Sequence, residues 1–401
     1  MVKVTFLHPD LGIGGAERLV VDAAIALKSK EHEVSIVTSH HDPSHCFEET
    51  RNGQLKIIPV GDWLPRRLFG KFYALFATIR MITAAIYLTL FSGLKPDVII
   101  CDQISNAIPV LKLLTPAKII FYCHYPDQLL TDRNSFWKRT YRHMMDFLEE
   151  WTLGMADIIL VNSKFTRNVF KNTFKSLEHL EPSVLYPSLN TEKFDEVLSE
   201  STDKTFFTCL SINRYERKKN IGLAIKSFAR VVQSSSGKAN DLKLIIAGGY
   251  DHRVEENVEY YTELVRLAED NGILSKVEFL KSPPDEEKVT LLKTSDCLIY
   301  TPSGEHFGIV PIEASYCKIP VVAVNDGGPT ETIVNEETGY LCDPTPEDFA
   351  KKILKLKNGG TDLKQQMGEN GRERVISFFS FDSFATQLND FVNQSLNIRA
   401  Y

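Results

Sequence analysis

The sequence predicts an α/β protein with two doubly wound parallel sheets, each at the centre of its own domain. Short apolar segments rich in Val, Ile and Phe alternate with helix-period segments along almost the whole chain. Continuous apolar runs are typical of parallel strands, because helices bury both faces of such a sheet. Two series of this pattern indicate two Rossmann-like domains.

The individual elements are predicted from the apolar runs and from the turn residues that follow them. Gly, Pro, Asn or Asp comes after each run and marks the end of a strand. The predicted strands are 2–8, 33–38, 97–102, 117–123, 157–162 and 183–186 in the first series, and 206–212, 242–247, 276–280, 296–301 and 319–324 in the second. The predicted helices are 15–30, 221–235, 254–271, 285–294, 361–378 and 380–396.

A polar segment at 187–205 separates the two series and is the predicted hinge. We therefore expect an N-terminal domain over 1–190 and a C-terminal domain over 205–378. A last helix within 380–401 fits either domain, and in one arrangement it packs back on the N-terminal domain.

The composition is that of a globular protein and argues against a nucleic-acid partner. Of 401 residues, 43% are hydrophobic and 24% charged, and the formal net charge is −6. No long basic run is present, so nothing favours binding to nucleic acid. The seven cysteines are scattered, without a CxxC pair, and are predicted to be reduced core residues.

One segment, 72–91, is apolar throughout except for Arg80. A helix of this length spans about 30 Å, enough to cross the hydrocarbon core of a bilayer. We predict a membrane-associated helix at about 68–94, and the basic residues before it suit an anionic membrane surface. The alternative is a core helix packed under the first sheet.

Two modes of membrane contact are open for this helix. If it crossed the membrane, strands 2–8 and 97–102 would lie on opposite sides and could not pair. A helix lying in the interface is therefore favoured, with Arg80, Thr83 and Tyr87 on one shared helix face.

The most informative motif runs from Gly304 to Ala314, directly after a predicted buried strand. Glu305 and Glu313 lie eight positions apart, and Gly308 comes just before a predicted helix start. A carboxylate at the carboxyl end of a strand, next to free N–H groups at a helix start, suits a phosphorylated ligand.

A second glycine turn, 12–18, follows the first strand and opens the first helix. Gly14 and Gly15 let the backbone approach a ligand closely, although a plain strand-to-helix turn remains an alternative. Glu17 stands where a dinucleotide-binding turn has its third glycine, and no acidic residue ends the second strand. An NAD-dependent enzyme is therefore a poor interpretation.

Three basic side chains are further candidates. Arg214 and Lys219 follow the first strand of the second series and suit a pyrophosphate, although a solvated basic loop has the same composition. His124 follows strand 117–123, where the alternative is a hydrogen-bonded core histidine. Another strand-end glycine turn, 325–331, contains Glu331, for which we favour a structural role.

In combination these motifs resemble glycosyltransferase family 4. The resemblance rests on Arg214 with Lys219, on Glu305 with Glu313, and on the turns at 14–15 and 325–331. That family has the GT-B fold, in which two Rossmann-like domains face each other across a cleft. The resemblance covers nearly the whole chain and implies this fold for it.

Four shorter stretches, 8–12, 61–65, 213–220 and 305–311, resemble the members of the family that act on dolichol-linked glycans. The resemblance implies a retaining mannosyltransferase that uses GDP-mannose. It would add α-1,3 and then α-1,6 mannose to Man-GlcNAc2-diphosphodolichol, a precursor of asparagine-linked glycans. The implied place is the endoplasmic reticulum membrane with the catalytic domains on the cytosolic face, and other early glycan-assembly transferases are further expected partners.

The resemblance also implies roles for single residues. The expected catalytic residues are Arg214, Lys219, Glu305 and His124, and the expected donor-binding residues are Gly14, Gly15, Phe307, Gly308, Ile309 and Glu313. Because the chain has no D-x-D motif, we expect no required metal, with Mg²⁺ at most stimulating turnover. Two alternatives stay open: a family 4 transferase with another nucleotide sugar and lipid acceptor, and a non-catalytic nucleotide-sugar-binding subunit.

Overall fold

The strands form two separate parallel sheets in the residues that the computed structural model describes, 1–67, 72–131, 136–197, 206–235 and 241–398. The strands of the first sheet are β1 (Lys3–His8), β2 (Glu33–Thr38), β3 (Lys56–Pro59), β4 (Val98–Asp102), β5 (Lys118–Cys123), β6 (Ile158–Val161) and β7 (Ser183–Val184). Those of the second sheet are β8 (Phe207–Ile212), β9 (Leu242–Gly248), β10 (Val277–Lys281), β11 (Cys297–Tyr300), β12 (Val321–Val324) and β13 (Gly339–Cys342).

Helices fill the connections between the strands. They are α1 (Gly15–Ser29), α2 (Tyr73–Ile86), α3 (Ile108–Leu114), α4 (Phe136–Leu153), α5 (Lys164–Thr173), α6 (Glu192–Glu196), α7 (Ile221–Ser234), α8 (Glu255–Asp270), α9 (Asp285–Thr294), α10 (Ile309–Tyr316), α11 (Pro329–Thr332), α12 (Pro346–Asn358), α13 (Gly360–Phe378) and α14 (Phe381–Asn397).

Both sheets reverse their strand order at the centre. The order is β3-β2-β1-β4-β5-β6-β7 in the first sheet and β10-β9-β8-β11-β12-β13 in the second. All neighbouring strands are parallel, including β1 with β4 and β8 with β11. In such sheets ligands bind beyond the carboxyl ends of the two strands where the order reverses. The predicted doubly wound architecture is confirmed, and each sheet has one such switch point.

The chain divides into two units. It passes from the first unit to the second between Ser188 and Leu189, and returns to the first between Ser380 and Phe381. The first unit holds the first sheet together with α14, and the second unit holds the second sheet. The last helix packs on α1, and just beyond the end of α1 His32 Nε2 lies 2.7 Å from Asn389 Oδ1. Residues 198–205 of the predicted hinge and 399–401 of the predicted C-terminal segment 380–401 lie outside the described residues.

The core of the first unit has two layers, one on each face of the sheet. Successive strand residues point to opposite faces. Phe6 therefore packs with α1 and α14, whereas Leu7 packs with α2 and α3. In α14 the apolar residues Phe384, Leu388 and Val392 recur every four positions, which places them on the buried face of the helix. All seven cysteines are free, as predicted, and five of them are buried, whereas Cys46 and Cys317 are only half-buried.

The apolar segment forms α2 and continues into one π-helical turn, Tyr87–Phe91. The segment Tyr73–Phe91 is long and apolar enough to cross a membrane, judged by length and composition alone. Yet β1 pairs directly with β4, with Val4 opposite Val98, although the helix lies between them in the sequence. A single crossing is incompatible with this pairing, because the chain must leave and return on one side.

Arg80, which is predicted to share one helix face with Thr83 and Tyr87, points into the protein. Arg80 is buried at 6% exposure, and its guanidinium donates to the carbonyl oxygen of Ser39 and lies 3.5 Å from Asp62. It turns inward because the loops after β2 and β3 supply acceptors there, which pattern analysis of one helix does not reveal. Residues 68–71 of the predicted membrane helix lie outside the described residues.

Candidate functional site

The loop after β11 carries the predicted carboxylate and the start of α10. Gly308 has φ +77°, a left-handed conformation that favours glycine, and a Cβ there would lie 3.2 Å from the hydroxyl of Tyr300. This turn allows α10 to begin at Ile309, so the first N–H groups of the helix follow the loop. Phe307 is 6% exposed and packs edge-to-face on Phe379, with ring centroids 5.8 Å apart, which anchors the loop.

The predicted glycine turn 325–331 lies directly against this loop, backbone to backbone. Gly328 N donates to Glu305 O at 2.7 Å, and Gly304 N donates to the Asp326 carboxylate at 2.7 Å. A Cβ on Gly328 would lie 2.1 Å from Phe307 O, closer than any real contact. The glycine is therefore needed for the close approach that fixes the position of Glu305.

Lys219 contacts Glu305, which brings two predicted site residues together at the switch point of the second sheet. Lys219 Nζ lies 2.6 Å from Glu305 Oε2, and their side chains are 13% and 24% exposed. The hydroxyl of Thr301 also donates to Lys219 O at 2.9 Å. The loops after β8 and β11 are thus joined by a partly buried, charge-assisted hydrogen bond.

Arg214 lies in the same loop as Lys219 but has a different partner. Its side chain is 62% exposed and lies 2.9 Å from Glu216 Oε1. Tyr215 anchors the loop below it, because this fully buried side chain donates from its hydroxyl to Ile246 O at 3.1 Å. The backbone of Arg214 is therefore fixed by the buried Tyr215, whereas its guanidinium group is exposed.

Glu313, the second predicted carboxylate, pairs with a lysine that sequence analysis missed. Glu313 is 8% exposed on α10, and Lys288 Nζ on α9 lies 2.7 Å from both of its carboxylate oxygens. Lys288 belongs to no motif, and it meets a residue 25 positions away only through the packing of two helices. No sequence signal identifies it.

In the first unit the glycine turn opens α1 as predicted. Gly14 is the N-cap residue, and a Cβ on it would lie 2.2 Å from Glu17 Oε2. A Cβ on Gly15 would meet nothing within 4 Å, so the backbone there is open to approach. A side chain at position 14 would have to displace the flexible end of Glu17, whereas Gly15 leaves the helix start accessible.

His124 follows β5 and shares Asp102 with His8. Asp102 Oδ2 lies 3.1 Å from His124 Nε2, and its Oδ1 lies 2.7 Å from His8 Nδ1. His8 and Asp102 were missed in the sequence. The signal that could have found them is that both end strands at the switch point of the first sheet, β1 and β4.

Ion pairing shifts the pKa values of both missed residues away from their ordinary values. Burial alone lowers the pKa of His8, but the charge of Asp102 and the hydrogen bond to it raise this pKa to about 10. Burial alone raises the pKa of Asp102, but the charge of His8 and hydrogen bonds from both histidines lower it to about 2. His8 and Asp102 therefore form a buried ion pair at neutral pH.

No group of three or more His, Cys, Asp or Glu side chains is arranged to hold a metal ion within the described ranges. In the loop after β2, His40 Nδ1 lies 2.5 Å from Asp62 and His41 Nε2 lies 3.0 Å from the hydroxyl of Thr50. These neighbouring histidines have separate partners.

Two family models match the chain. "Glycosyltransferase Family 4" matches residues 13–193, and "Glycosyl transferases group 1" matches residues 191–374. The boundary between the two matched ranges lies close to the first boundary between the two units.

Curated relatives match over nearly the full length. The human protein named alpha-1,3/1,6-mannosyltransferase ALG2 is 50% identical, over 98% of this chain and 96% of the human one. The protein of that name from Dictyostelium discoideum is 47% identical over 98% of each chain. The one from Saccharomyces cerevisiae is 42% identical, over 98% of this chain and 84% of its own.

Solved structures resemble the chain in fold. Sucrose-phosphate synthase from Thermosynechococcus elongatus has a TM-score of 0.75 at 19% identity and covers 98% of both chains. HepE from Anabaena, solved with UDP and glucose, has a TM-score of 0.70 at 17% identity, over 98% of this chain and all of its own. At such identities the likeness shows the fold alone, and it confirms the GT-B fold predicted from the sequence. By its family models and its full-length relatives, the chain belongs to glycosyltransferase family 4, within the group of α-1,3/1,6-mannosyltransferases.

Proposed function

We propose that the protein transfers mannose from GDP-mannose to Man-GlcNAc2-diphosphodolichol, first in α-1,3 and then in α-1,6 linkage, with retention at the anomeric carbon. The observation that carries the proposal is the identity of 42–50% to α-1,3/1,6-mannosyltransferases over 98% of this chain. The arrangement of Lys219, Glu305 and Glu313 in the second unit supports it, because it suits a nucleoside diphosphate sugar.

In this proposal each unit supplies its own set of residues. Lys219 and Arg214 stabilise the negative charge that develops on the departing diphosphate. Glu313 accepts hydrogen bonds from the ribose hydroxyls. The remaining donor contacts are proposed for Glu305, for the backbone at Phe307, Gly308 and Ile309, and, in the first unit, for the backbone at Gly14 and Gly15 and for His124.

Retention is proposed to occur by attack on the face that the diphosphate leaves. The bond from the anomeric carbon to the phosphate oxygen breaks, and the electron pair stays on the phosphate. The acceptor hydroxyl bonds to the same face and gives its proton to that phosphate. A covalent route needs a free carboxylate nucleophile. Glu305 and Glu313 suit that role poorly, because each lies within 2.7 Å of a lysine nitrogen.

We propose that no metal is required, since the side chains of Lys219 and Arg214 supply positive charge where other transferases use a cation. Mg²⁺ would then at most stimulate turnover. A purified protein that loses activity on addition of a chelator would contradict this.

The lipid acceptor places the reaction at a membrane, proposed to be the cytosolic face of the endoplasmic reticulum. The outer side of α2 and its π turn supports membrane contact. Its exposed apolar side chains are Tyr73, Ile79, Ile86, Leu90 and Phe91. A helix held in the interface by these side chains would bring the first unit to the level of the diphosphate headgroup. Other transferases of early glycan assembly are proposed neighbours there.

The test is a transfer assay with purified full-length protein, GDP-mannose and a synthetic Man-GlcNAc2-diphospholipid, with each product mapped by linkage. We expect an α-1,3 product that is then converted to one with an added α-1,6 mannose. Turnover only with another nucleotide sugar would show that GDP-mannose is not the donor. Binding of GDP-mannose without turnover on any acceptor would favour the non-catalytic subunit.

A further inference from the structure

Three side chains meet at the carboxyl edge of the first sheet, and we call them the His8–Asp102–His124 triad. The strands β1, β4 and β5 are neighbours, so the residues at their carboxyl ends lie side by side. Asp102 is the central member and gives one carboxylate oxygen to each histidine, at 2.7 Å to His8 Nδ1 and 3.1 Å to His124 Nε2. It is 3% exposed, so protein groups decide its hydrogen bonding.

The hydrogen bonds of His8 require both of its ring nitrogens to donate. Nδ1 faces the Asp102 carboxylate, and Nε2 lies 2.8 Å from the carbonyl oxygen of Asp10. Both partners are acceptors, so the fully buried ring carries two protons and a positive charge. The pKa of His8, raised to about 10 by Asp102 against the effect of burial, agrees with this assignment. The carboxylate of Glu17, 3.9 Å from Nε2, adds to the stabilisation.

The charge of His8 determines what Asp102 can do to His124. Because His8 keeps Asp102 ionised, the carboxylate can only accept hydrogen bonds, and its second oxygen faces His124 Nε2. His124 Nε2 must therefore donate to Asp102, and in the neutral ring the lone pair is on Nδ1.

The ring of His124 is fixed in place and partly open. Its side chain is 24% exposed, and Nδ1 makes no hydrogen bond to the part of the chain that the structure describes. The ring packs against Tyr122 with centroids 4.8 Å apart, and Asn162 donates to the backbone oxygen of His124 at 3.1 Å. The acceptor nitrogen thus has a defined direction before any substrate binds.

We propose that Asp102 and His8 are positioning residues that hold His124 as a hydrogen-bond acceptor, with Nδ1 directed at a hydroxyl group of the substrate. This rests on the proposed function, because hydroxyls of the transferred mannose or of the acceptor glycan are donors that a lone pair can bind. The oxygens of an ionised diphosphate only accept hydrogen bonds, so they do not suit Nδ1. The triad therefore assigns His124 to the sugar and leaves the diphosphate to the basic residues.

The first test measures the tautomer directly on the wild-type full-length protein. Nitrogen-15-labelled histidine is incorporated, and the His124→Ala variant identifies the resonances of His124. At neutral pH we expect a neutral ring protonated at Nε2. A ring protonated at Nδ1, or at both nitrogens, would overturn the proposal. The result does not depend on turnover, so it separates a failure of this inference from a failure of the proposed function.

The second test is a kinetic cycle with Asp102→Asn, His124→Ala and the double variant. In Asp102→Asn the amide oxygen can still accept from His8, but the amide nitrogen then donates to His124 Nε2 and moves its proton to Nδ1. This reversal of the tautomer is expected to lower kcat about tenfold to a hundredfold, with KM for GDP-mannose changed by less than about threefold.

In the His124→Ala background the same substitution should cost less than about threefold, because the residue it acts through is gone. Losses that multiply in the double variant would show that Asp102 supports the fold only and would overturn the proposal. Circular dichroism checks that each variant is folded. If Asp102→Asn does not fold, the tautomer measurement on the wild-type protein still tests whether His124 Nδ1 is an acceptor.

Discussion

Lys219 Nζ and Glu305 Oε2 lie 2.6 Å apart, although 86 positions separate the two residues in the sequence. They follow β8 and β11, the two strands at which the order of the second sheet reverses. The fold therefore places a cation and a carboxylate at the point where a doubly wound sheet binds ligands. The contact also holds the long lysine side chain in one direction, which reduces the entropy that ordering it would cost on binding.

Lys219→Ala is expected to lower the rate of mannose transfer by at least about a hundredfold, because it removes a charge next to the departing diphosphate. The neighbouring Lys218→Ala is the matched control. Lys218 is 66% exposed and pairs with Glu216, so its loss should leave the rate within about twofold. Near-normal transfer by Lys219→Ala, with unchanged circular dichroism, would contradict the assigned role.

Lys288→Met is expected to weaken both the fold and the binding of GDP-mannose. It leaves the carboxylate of Glu313, which is 8% exposed, without its cation, at a cost of about 1–3 kcal/mol of unfolding free energy. Adding Glu313→Gln should recover stability, since the unpaired charge is removed, but not donor affinity. Thermal unfolding and donor titration measure the two effects. A double variant that recovers both would exclude Glu313 from ribose binding.

Gly328→Ala should separate the two loops that position Glu305. The new Cβ would lie 2.1 Å from Phe307 O, so the backbone has to move. We expect loss of transfer activity and a lowered melting temperature. Thr330→Ala is the control, since Thr330 is exposed in the same turn. Equal transfer activities and equal melting temperatures of the two variants would show that the close backbone contact is not needed.

The stability of the protein should depend on pH through the pair His8 and Asp102. The pKa of His8 lies above the ordinary value of 6.5, at about 10, because Asp102 outweighs burial. The pair therefore stabilises the fold fully between pH 3.8 and pH 6.5, and this contribution is lost as the pH rises to 10. The pKa of Asp102 is lowered to about 2 by the histidines against burial, so on the acid side stability is lost as the pH falls from 3.8 through 2.

The measurement is the free energy of unfolding in denaturant at several pH values between 6.5 and 10. His8→Gln removes the titrating group, so the fall over this range should be shallower than in the wild-type protein. His252→Gln serves as the control, because His252 is 84% exposed and should leave the slope unchanged. If the free energy of unfolding of His8→Gln falls with pH as steeply as that of the wild-type protein, another group must titrate over this range.

Replacing Ile79, Ile86 and Leu90 by Asn should release the protein from membranes while leaving it folded. These side chains are 37%, 36% and 57% exposed on the outer side of the α2 segment, so the core is not disturbed. The matched control replaces three exposed apolar residues elsewhere, namely Leu274, Ile376 and Leu396. Sedimentation with liposomes measures the difference. If the α2 variant still sediments, another surface attaches the protein.

Much of the architecture was predictable because parallel strands and their covering helices have local signatures. The predicted strand 33–38 matches β2 residue for residue, and the predicted helix 285–294 matches α9. Strands β3 and β13 were missed, because each has only four residues and lies at a sheet edge, where the apolar run is short. The amphipathic α4 was missed as well, since its many charged residues mask the apolar face.

The sequence by itself determined the two-sheet fold, the glycine turns with Glu305 and Gly308, and the basic loop with Lys219. Only the tertiary structure decided which side chains are partners. Lys288 reaches Glu313 through the packing of α9 on α10, and His8 reaches Asp102 because β4 pairs with β1 across 94 positions of sequence. The reason is physical: turns and apolar periodicity are set by neighbouring residues, whereas an ion pair forms wherever the folded chain brings opposite charges out of water.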